Sequence, residues 1–439
     1  MNNIIYNTAR LTVLLFMLFI ISAINLNAQK VLSLTECYES ANKINALSTE
    51  KNMYSDISTL KEKNIATGWL PSLDLSGSIV YNSDVADMGN VLKSLPFPGV
   101  ADAISPLPHD QYKITLEINQ VIYDGGTIKG ARELEKSDKK VNEKQTESDL
   151  YKLRSQINTY YYSILLLNRQ KELLSNYLQV IEKRLKSINS GIENGVVSKS
   201  DADVITTEKI NLLQQLSENS IKKNTLLIVL SSITGIDIPE KAEFTVPEIS
   251  INAETELNRP ELALFDLKKE QLSAGEQLIN SKRMPKAFGF ATLGYGNPPG
   301  SNFFADEFDT YYIIGGGIKW NIFDWNKAKN DKQVISIQKN IIENRKKDLE
   351  DNLTRQLRIK QSEIQTLEKL ATDDAELINL RKRITASAES QYDNGVITAT
   401  EYLNILNSEK QTLINSEIHK VNLALAKTDY LNISGKELQ

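Results

Sequence analysis

The 439-residue chain is poor in the residues from which most catalytic and metal-binding sites are built. Its single cysteine, Cys37, allows no internal disulfide and no thiolate cluster. Its two histidines, His109 and His419, cannot form a histidine metal cage and offer little to a charge-relay triad. No catalytic residue, metal site or cofactor is therefore expected. Lys and Arg (51) are outnumbered by Asp and Glu (56). The chain thus lacks the basic surplus of a nucleic-acid binder, and no nucleic-acid partner is expected. Beyond the first thirty residues no apolar run approaches the ~20 residues that a membrane helix needs.

The one long apolar run is Leu11–Ile24, behind Arg10 and ahead of Leu26-Asn27-Ala28. A basic start, a short apolar stretch and a small residue before the cut describe a secretory signal over residues 1–28, cleaved after Ala28. Cys37 does not follow the cut directly, as a lipid-anchored chain would require. It falls in a helical pattern with Ala41 and Ile44 and reads as core. The mature chain is expected to be exported, and either soluble or inserted through β-strands, whose hydropathy signal is weak.

The chain repeats itself. Val121-Ile122-Tyr123-Asp124 returns as Asn321-Ile322-Phe323-Asp324, Asn194-Gly195-Val196 as Asn394-Gly395-Val396, and Ile233-Thr234-Gly235 as Ile433-Ser434-Gly435, each at an offset of 200. Two copies of one plan follow, 29–238 and 258–439, joined by a linker at 239–257. Each copy reads helix, strand, loop, strand, very long helix, turn, helix. The first copy carries extra residues in the Pro-rich segment Leu95–Pro108. Its opening helix starts at the cap Ser33, with Glu36 three residues on, and runs to about Trp69. The opening helix of the second copy covers 259–283, with Pro260 in its first turn.

Strands are expected at 72–81 and 111–122, and again at 287–296 and 311–322. In the longer ones Tyr112, Ile114, Leu116 and Ile118, and Tyr312, Ile314, Ile318 and Trp320, alternate with polar or small residues. That period of two gives one apolar face. Strands of this length match the ~9–11 residues that span a bilayer, with aromatics near their ends. A soluble sheet packed on helices would show the same alternation. The long helices, 126–192 and 326–392, contain no proline, and each would extend about 100 Å. Leu174, Leu178, Ile181, Leu185, Ile188 and Ile192 form a coiled-coil seam. Shorter helices, 199–234 and 399–433, return from the turns. In lipid, four strands cannot close into a barrel, and known barrels begin at about eight, so several chains would have to contribute.

From Leu32-Ser33-Leu34-Thr35-Glu36 to Ile433-Ser434-Gly435 the chain resembles the TolC-like outer membrane efflux proteins. The matching segments are Leu70-Pro71-Ser72-Leu73, Tyr123-Asp124-Gly125-Gly126, Asn194-Gly195-Val196, Arg259-Pro260-Glu261-Leu262, Phe323-Asp324 and Asp393-Asn394-Gly395. The resemblance implies an α+β membrane protein. It would be a homotrimer with one twelve-stranded β-barrel in outer membrane lipid, four strands per chain, continued by an α-helical coiled-coil tunnel in the periplasm. It also implies a passive exit duct of a tripartite efflux or type I secretion system. Such a duct docks with a periplasmic adaptor protein and an inner-membrane pump of RND or ABC type. The adaptor would meet the turn tips Asn194, Gly195, Val196, Asn394, Gly395 and Val396. Residues of the periplasmic entrance map to Glu401, Asn404, Asp201 and Tyr392. Asn404 stands where an acidic residue is usual. Ile397 stands where some members carry a basic latch residue, so Asp201 and Tyr392, which match other members of that latch, are expected to lack its basic partner. Read as helix caps, Ser198–Asp201 and Thr398–Glu401 need no pore role. A periplasmic helical adaptor and a structural coiled-coil envelope protein are the alternatives.

Overall fold

The computed structural model describes residues 31–87, 106–195, 197–251, 256–302 and 305–438. The expected signal segment, most of the Pro-rich insertion and Val196 lie outside them. The elements are β1 (Val31–Leu32), α1 (Leu34–Ile44), α2 (Ala46–Ala66), β2 (Ser72–Tyr81), β3 (Asp110–Tyr123), α3 (Thr127–Tyr151), α4 (Leu153–Glu193) and α5 (Lys199–Thr234). They continue as β4 (Glu243–Phe244), α6 (Pro260–Lys282), β5 (Lys286–Asn297), β6 (Asp309–Lys319), α7 (Lys327–Asp393) and α8 (Ala399–Ser434). No described helix is long and apolar enough to cross a membrane. The chain forms two compact units, each assembled from both sequence copies: residues 50–146 with 261–347, and the rest.

Two helices expected to be continuous are interrupted. Asn45 separates α1 from α2 with extended backbone (φ −61°, ψ 135°), and its side chain accepts a hydrogen bond from the Leu47 N–H (2.9 Å). Asparagine offers the backbone this local alternative to the helix. Lys152 interrupts the first long helix between α3 and α4, although its φ and ψ remain helical. The second long helix, α7, is unbroken over 67 residues.

The unit of 50–146 and 261–347 holds a four-stranded antiparallel sheet in the order β2-β3-β5-β6. Its register gathers most of the aliphatic side chains on one face. Leu75 pairs with Leu116, which pairs with Leu293, which pairs with Tyr312; Leu73, Ile118, Ala291 and Ile314 form the next row. Tyr112, Ile114, Leu116 and Ile118 therefore share a face with Tyr312, Ile314 and Ile318. Trp320 lies one residue beyond the end of β6, not within it. The face is open: Leu75, Ile79, Ile314 and Ile318 are each more than 75% exposed. Aromatics collect at both ends of the sheet. Tyr81, Tyr112, Tyr295, Phe308 and Tyr312 are at one, and Trp69, Tyr123, Trp320, Phe323 and Trp325 at the other, all exposed.

The opposite face is mainly polar or small, as in the run Ser76–Thr115–Gly294, with Phe288, Phe290, Tyr311 and Ile313 as its larger members. Here lies the reason for Gly315-Gly316-Gly317. A Cβ on Gly315 would fall 2.5 Å from the Phe290 ring, and one on Gly317 would fall 2.8 Å from Phe288. The glycines make room for two aromatic rings. After each strand pair an aspartate caps the helix that follows. Asp124 Oδ2 accepts from the Ile128 N–H (2.5 Å), and Asp324 Oδ2 from the Ala328 N–H (3.0 Å). The two residues between are left-handed in both copies, Gly125-Gly126 in the first and Trp325-Asn326 in the second. A non-glycine there costs about 1–2 kcal/mol.

In the other unit, β1 pairs in parallel with β4, and both seat on a core that includes Cys37, Tyr38, Ile157, Tyr161, Leu230 and Phe244. The Tyr161 hydroxyl lies 2.7 Å from the carbonyls of both Leu32 and Thr245, tying α4 to the two short strands. The Tyr162 hydroxyl bonds Thr428 of α8 (2.6 Å).

Replacing Gly315 by valine should drive the new side chain into Phe290 and destabilise the sheet by about 1–3 kcal/mol, the usual range for overpacking. Heat-modifiable gel migration measures this: Gly315→Val should convert to the unfolded band at lower temperature. Adding Phe290→Ala should recover part of the loss.

Candidate functional site

The candidate site is the end of the helical unit where α4 turns into α5 and α7 into α8. The turns are built alike. Asn194 Nδ2 donates to the Ser190 carbonyl (2.8 Å), and Asn394 Nδ2 to the Ser390 carbonyl (2.7 Å). Gly195 (φ +73°) and Gly395 (φ +70°) then take the left-handed conformation that reverses the chain. Nothing lies within 4 Å of a Cβ at either position, so conformation alone selects glycine there.

Each return helix opens with a side-chain cap. Ser198 Oγ accepts from the Asp201 N–H (3.2 Å) and donates to Asp201 Oδ2 (2.9 Å). Thr398 and Glu401 make a full capping box: Thr398 Oγ1 accepts from the Glu401 N–H (3.2 Å), and Glu401 Oε2 accepts from the Thr398 N–H (2.9 Å). Glu401 is exposed. So is Asn404, one turn along α8. Val396 at the second turn is 71% exposed.

Below the turns is a packed core in which the predicted seam takes part. Leu174, Ile181 and Ile188 are buried with Ile205 and Leu212 of α5 and Tyr402, Leu403 and Leu406 of α8, while Leu178, Leu185 and Ile192 pack on its margin. At the turn end of this core sits a residue that the sequence reading missed. Arg184, on α4, has a side chain only 10% exposed. It donates to Asp393 and to Glu389 (2.7 Å to the latter), both on α7. Its guanidinium lies 5.4 Å from the Tyr392 ring centre and 5.1 Å from that of Tyr402. Those two rings stack at 5.4 Å. One cation thus holds α4, the end of α7 and the start of α8 together.

Burial opposes the charge on Arg184, but Asp393 and Tyr402 outweigh it, and its pKa stands above the ordinary arginine value. Burial, reinforced by the nearby Asp201 carboxylate, raises the Tyr392 hydroxyl. Burial also raises Tyr402, with Arg184 pulling the other way. Arg184, Asp201, Tyr392, Asp393, Asn394 and Gly395 are among the residues lining an open cleft of about 570 Å³. The missing basic residue at position 397 does not leave Tyr392 without a neighbouring cation. Position 397 is indeed isoleucine, but the cation arrives from another helix. Its only mark in the sequence is its place three residues after Ile181 and four before Ile188, on the seam's own face. The clamp is not repeated. At the offset of 200, Ile384 stands where Arg184 stands, and Asn189 where Glu389 stands.

Arg184→Met should leave Asp393 and Glu389 without their cation and unstack the rings, costing about 1–3 kcal/mol, discounted because the carboxylates are half exposed. Limited proteolysis should then cut faster within residues 393–398. Arg184→Lys should rescue little, since an ammonium cannot bridge both carboxylates and stack on both rings.

Comparison with known proteins places this geometry. A family model described as "Outer membrane efflux protein" matches residues 63–234. No curated protein matches the chain. Among solved structures, the Campylobacter jejuni CmeC outer membrane channel is similar at 16% identity with a TM-score of 0.64, over 92% of this chain and 85% of that one. The outer membrane protein VceC of Vibrio cholerae is similar at 14% identity and TM-score 0.63, over 92% and 97%. The open state of the Neisseria gonorrhoeae MtrE outer membrane channel is similar at 13% identity and TM-score 0.65, over 92% and 89%. At these identities the structures establish the fold. Residues 63–234 thus match the outer membrane efflux protein family model, and the chain shares the fold of these outer membrane channels.

Proposed function

We propose that the protein is an outer membrane exit duct of a tripartite efflux or type I secretion system, passing solute from an inner-membrane pump to the exterior without chemistry of its own. The observation that carries this reading is the sheet. One face is continuously apolar and exposed, aromatics stand at both ends, and β2 and β6 are each paired on one side only within the described chain. In lipid an open edge leaves backbone groups unsatisfied at several kcal/mol each, so the edges must be closed by other copies. Three copies of four strands supply a twelve-stranded barrel, and the helices continue it into the periplasm.

The turns form the periplasmic tip in this reading, where Asn194, Gly195, Val196, Asn394, Gly395 and Val396 meet an adaptor of membrane-fusion type. The pump beyond it is of RND or ABC type. Glu401 and Asn404 line the entrance of the tunnel, and Asp201 and Tyr392 stand beside it. With Asn404 uncharged, Glu401 supplies the constriction's acidic ring alone. The Arg184 clamp replaces the basic latch absent at Ile397 and holds the tip closed until partners bind.

Single-channel recording in planar bilayers tests the entrance. Glu401→Gln keeps the capping box, since glutamine serves equally at that position, and removes only the charge. It should reduce cation preference at least twofold with little change in thermal stability. Unchanged selectivity would take Glu401 out of the pore.

A further inference from the structure

Lys223 of α5 is 6% exposed, yet its ammonium has no carboxylate within ion-pairing distance among the described residues. Its hydrogen bond goes to the main-chain carbonyl of Glu240 (2.7 Å). The Glu240 carboxylate is turned to Lys171, 3.9 Å away. Buried charges are ordinarily matched by an opposite charge, because a carbonyl dipole does not repay the desolvation of an ion. Lys223 also lines an open cleft of about 530 Å³, where the cations Lys171, Arg169 and Lys241 stand with the carboxylates Glu172, Glu240 and Glu243, so that, with Lys223, the cations outnumber the acids by one. Arg169 pairs with Glu172 (3.5 Å), so that acid does not serve Lys223. Burial, aided by repulsion from Lys171, lowers the Lys223 pKa, and the Glu240 carboxylate offsets this in part. A buried ammonium that meets only a carbonyl and opens on a cleft with a second ammonium in its lining is an arrangement that an oxyanion relieves.

We propose that this cleft is an anion-binding site taking a small free oxyanion of the phosphate type, held between Lys223 and Lys171. The ligand supplies the counter-charge that the chain withholds from Lys223. It also ties α5 to the 240–244 segment, which already meets Lys223 through a carbonyl. The site is remote in sequence from the turn residues of the entrance and does not depend on the reading of that entrance.

The test is a titration of the purified, detergent-solubilised protein with inorganic phosphate at constant ionic strength, balanced with sodium chloride. The thermal midpoint should rise saturably with phosphate, as binding to the native state alone requires. Lys171→Met, at a half-exposed position tolerant of change, should weaken the apparent affinity at least tenfold. Lys223→Met should abolish the saturable rise. An equal rise in chloride, or a phosphate response untouched by Lys171→Met, would overturn the proposal. So would a phosphate-insensitive wild type whose oligomer is weakened by Lys223→Met, because the counter-ion would then come from a second copy of the chain.

Discussion

The constraint on which the proposed reading of the sheet depends is the need of backbone N–H and C=O groups for partners where no water can supply them. β2 and β6 each have one unpaired side within the described chain. A sheet with one wet face could leave such edges in solvent. Here one face carries apolar rows from edge to edge, and two of the aromatic rings on the other side, Phe288 and Phe290, lie over glycines of the neighbouring strand. The face that would otherwise require a helical cover is exposed. In the proposed reading, lipid outside and sister strands at the edges would answer both demands at once.

The duplication sets a second constraint, because the two copies do not meet equal demands. Both use Asp at the strand-to-helix junction and left-handed backbone after it, but the second copy forces Trp325 and Asn326 into a conformation that glycine fills in the first. The turns are near-identical, Asn-Gly with the same hydrogen bonds. The Arg184 clamp between them is present once. The single clamp joins the end of α4 at the first turn to the end of α7 and the start of α8 at the second.

Much of this was legible in the sequence because the signals are periodic. Alternation over twelve residues predicts a strand and its face, and Tyr112, Ile114, Leu116 and Ile118 share one face in the register. Absence of proline over more than sixty residues predicts helix, and α7 follows it without a break. The caps at Ser33, Ser198 and Thr398 were readable because capping uses few residue types at fixed spacing. What escaped was local competition and long-range pairing. Asn45 interrupts a helix through a side-chain hydrogen bond that periodicity does not weigh, and nothing in the structure explains the interruption at Lys152. Trp320 carries the strand alternation past the point where the ladder stops. Arg184 meets Glu389 and Asp393 some two hundred residues away, and a contact of that range leaves only the faint mark of a charge beside an apolar seam.

The most direct test of the account is the mass of the detergent-solubilised oligomer, by light scattering corrected for bound detergent. Closure of the sheet edges by sister chains predicts three protomers, unchanged on dilution and resistant to dissociation below the temperature at which the sheet melts. A stable monomer with intact strand content would contradict it, because the edges of β2 and β6 would then be tolerated open and the apolar face would need another explanation.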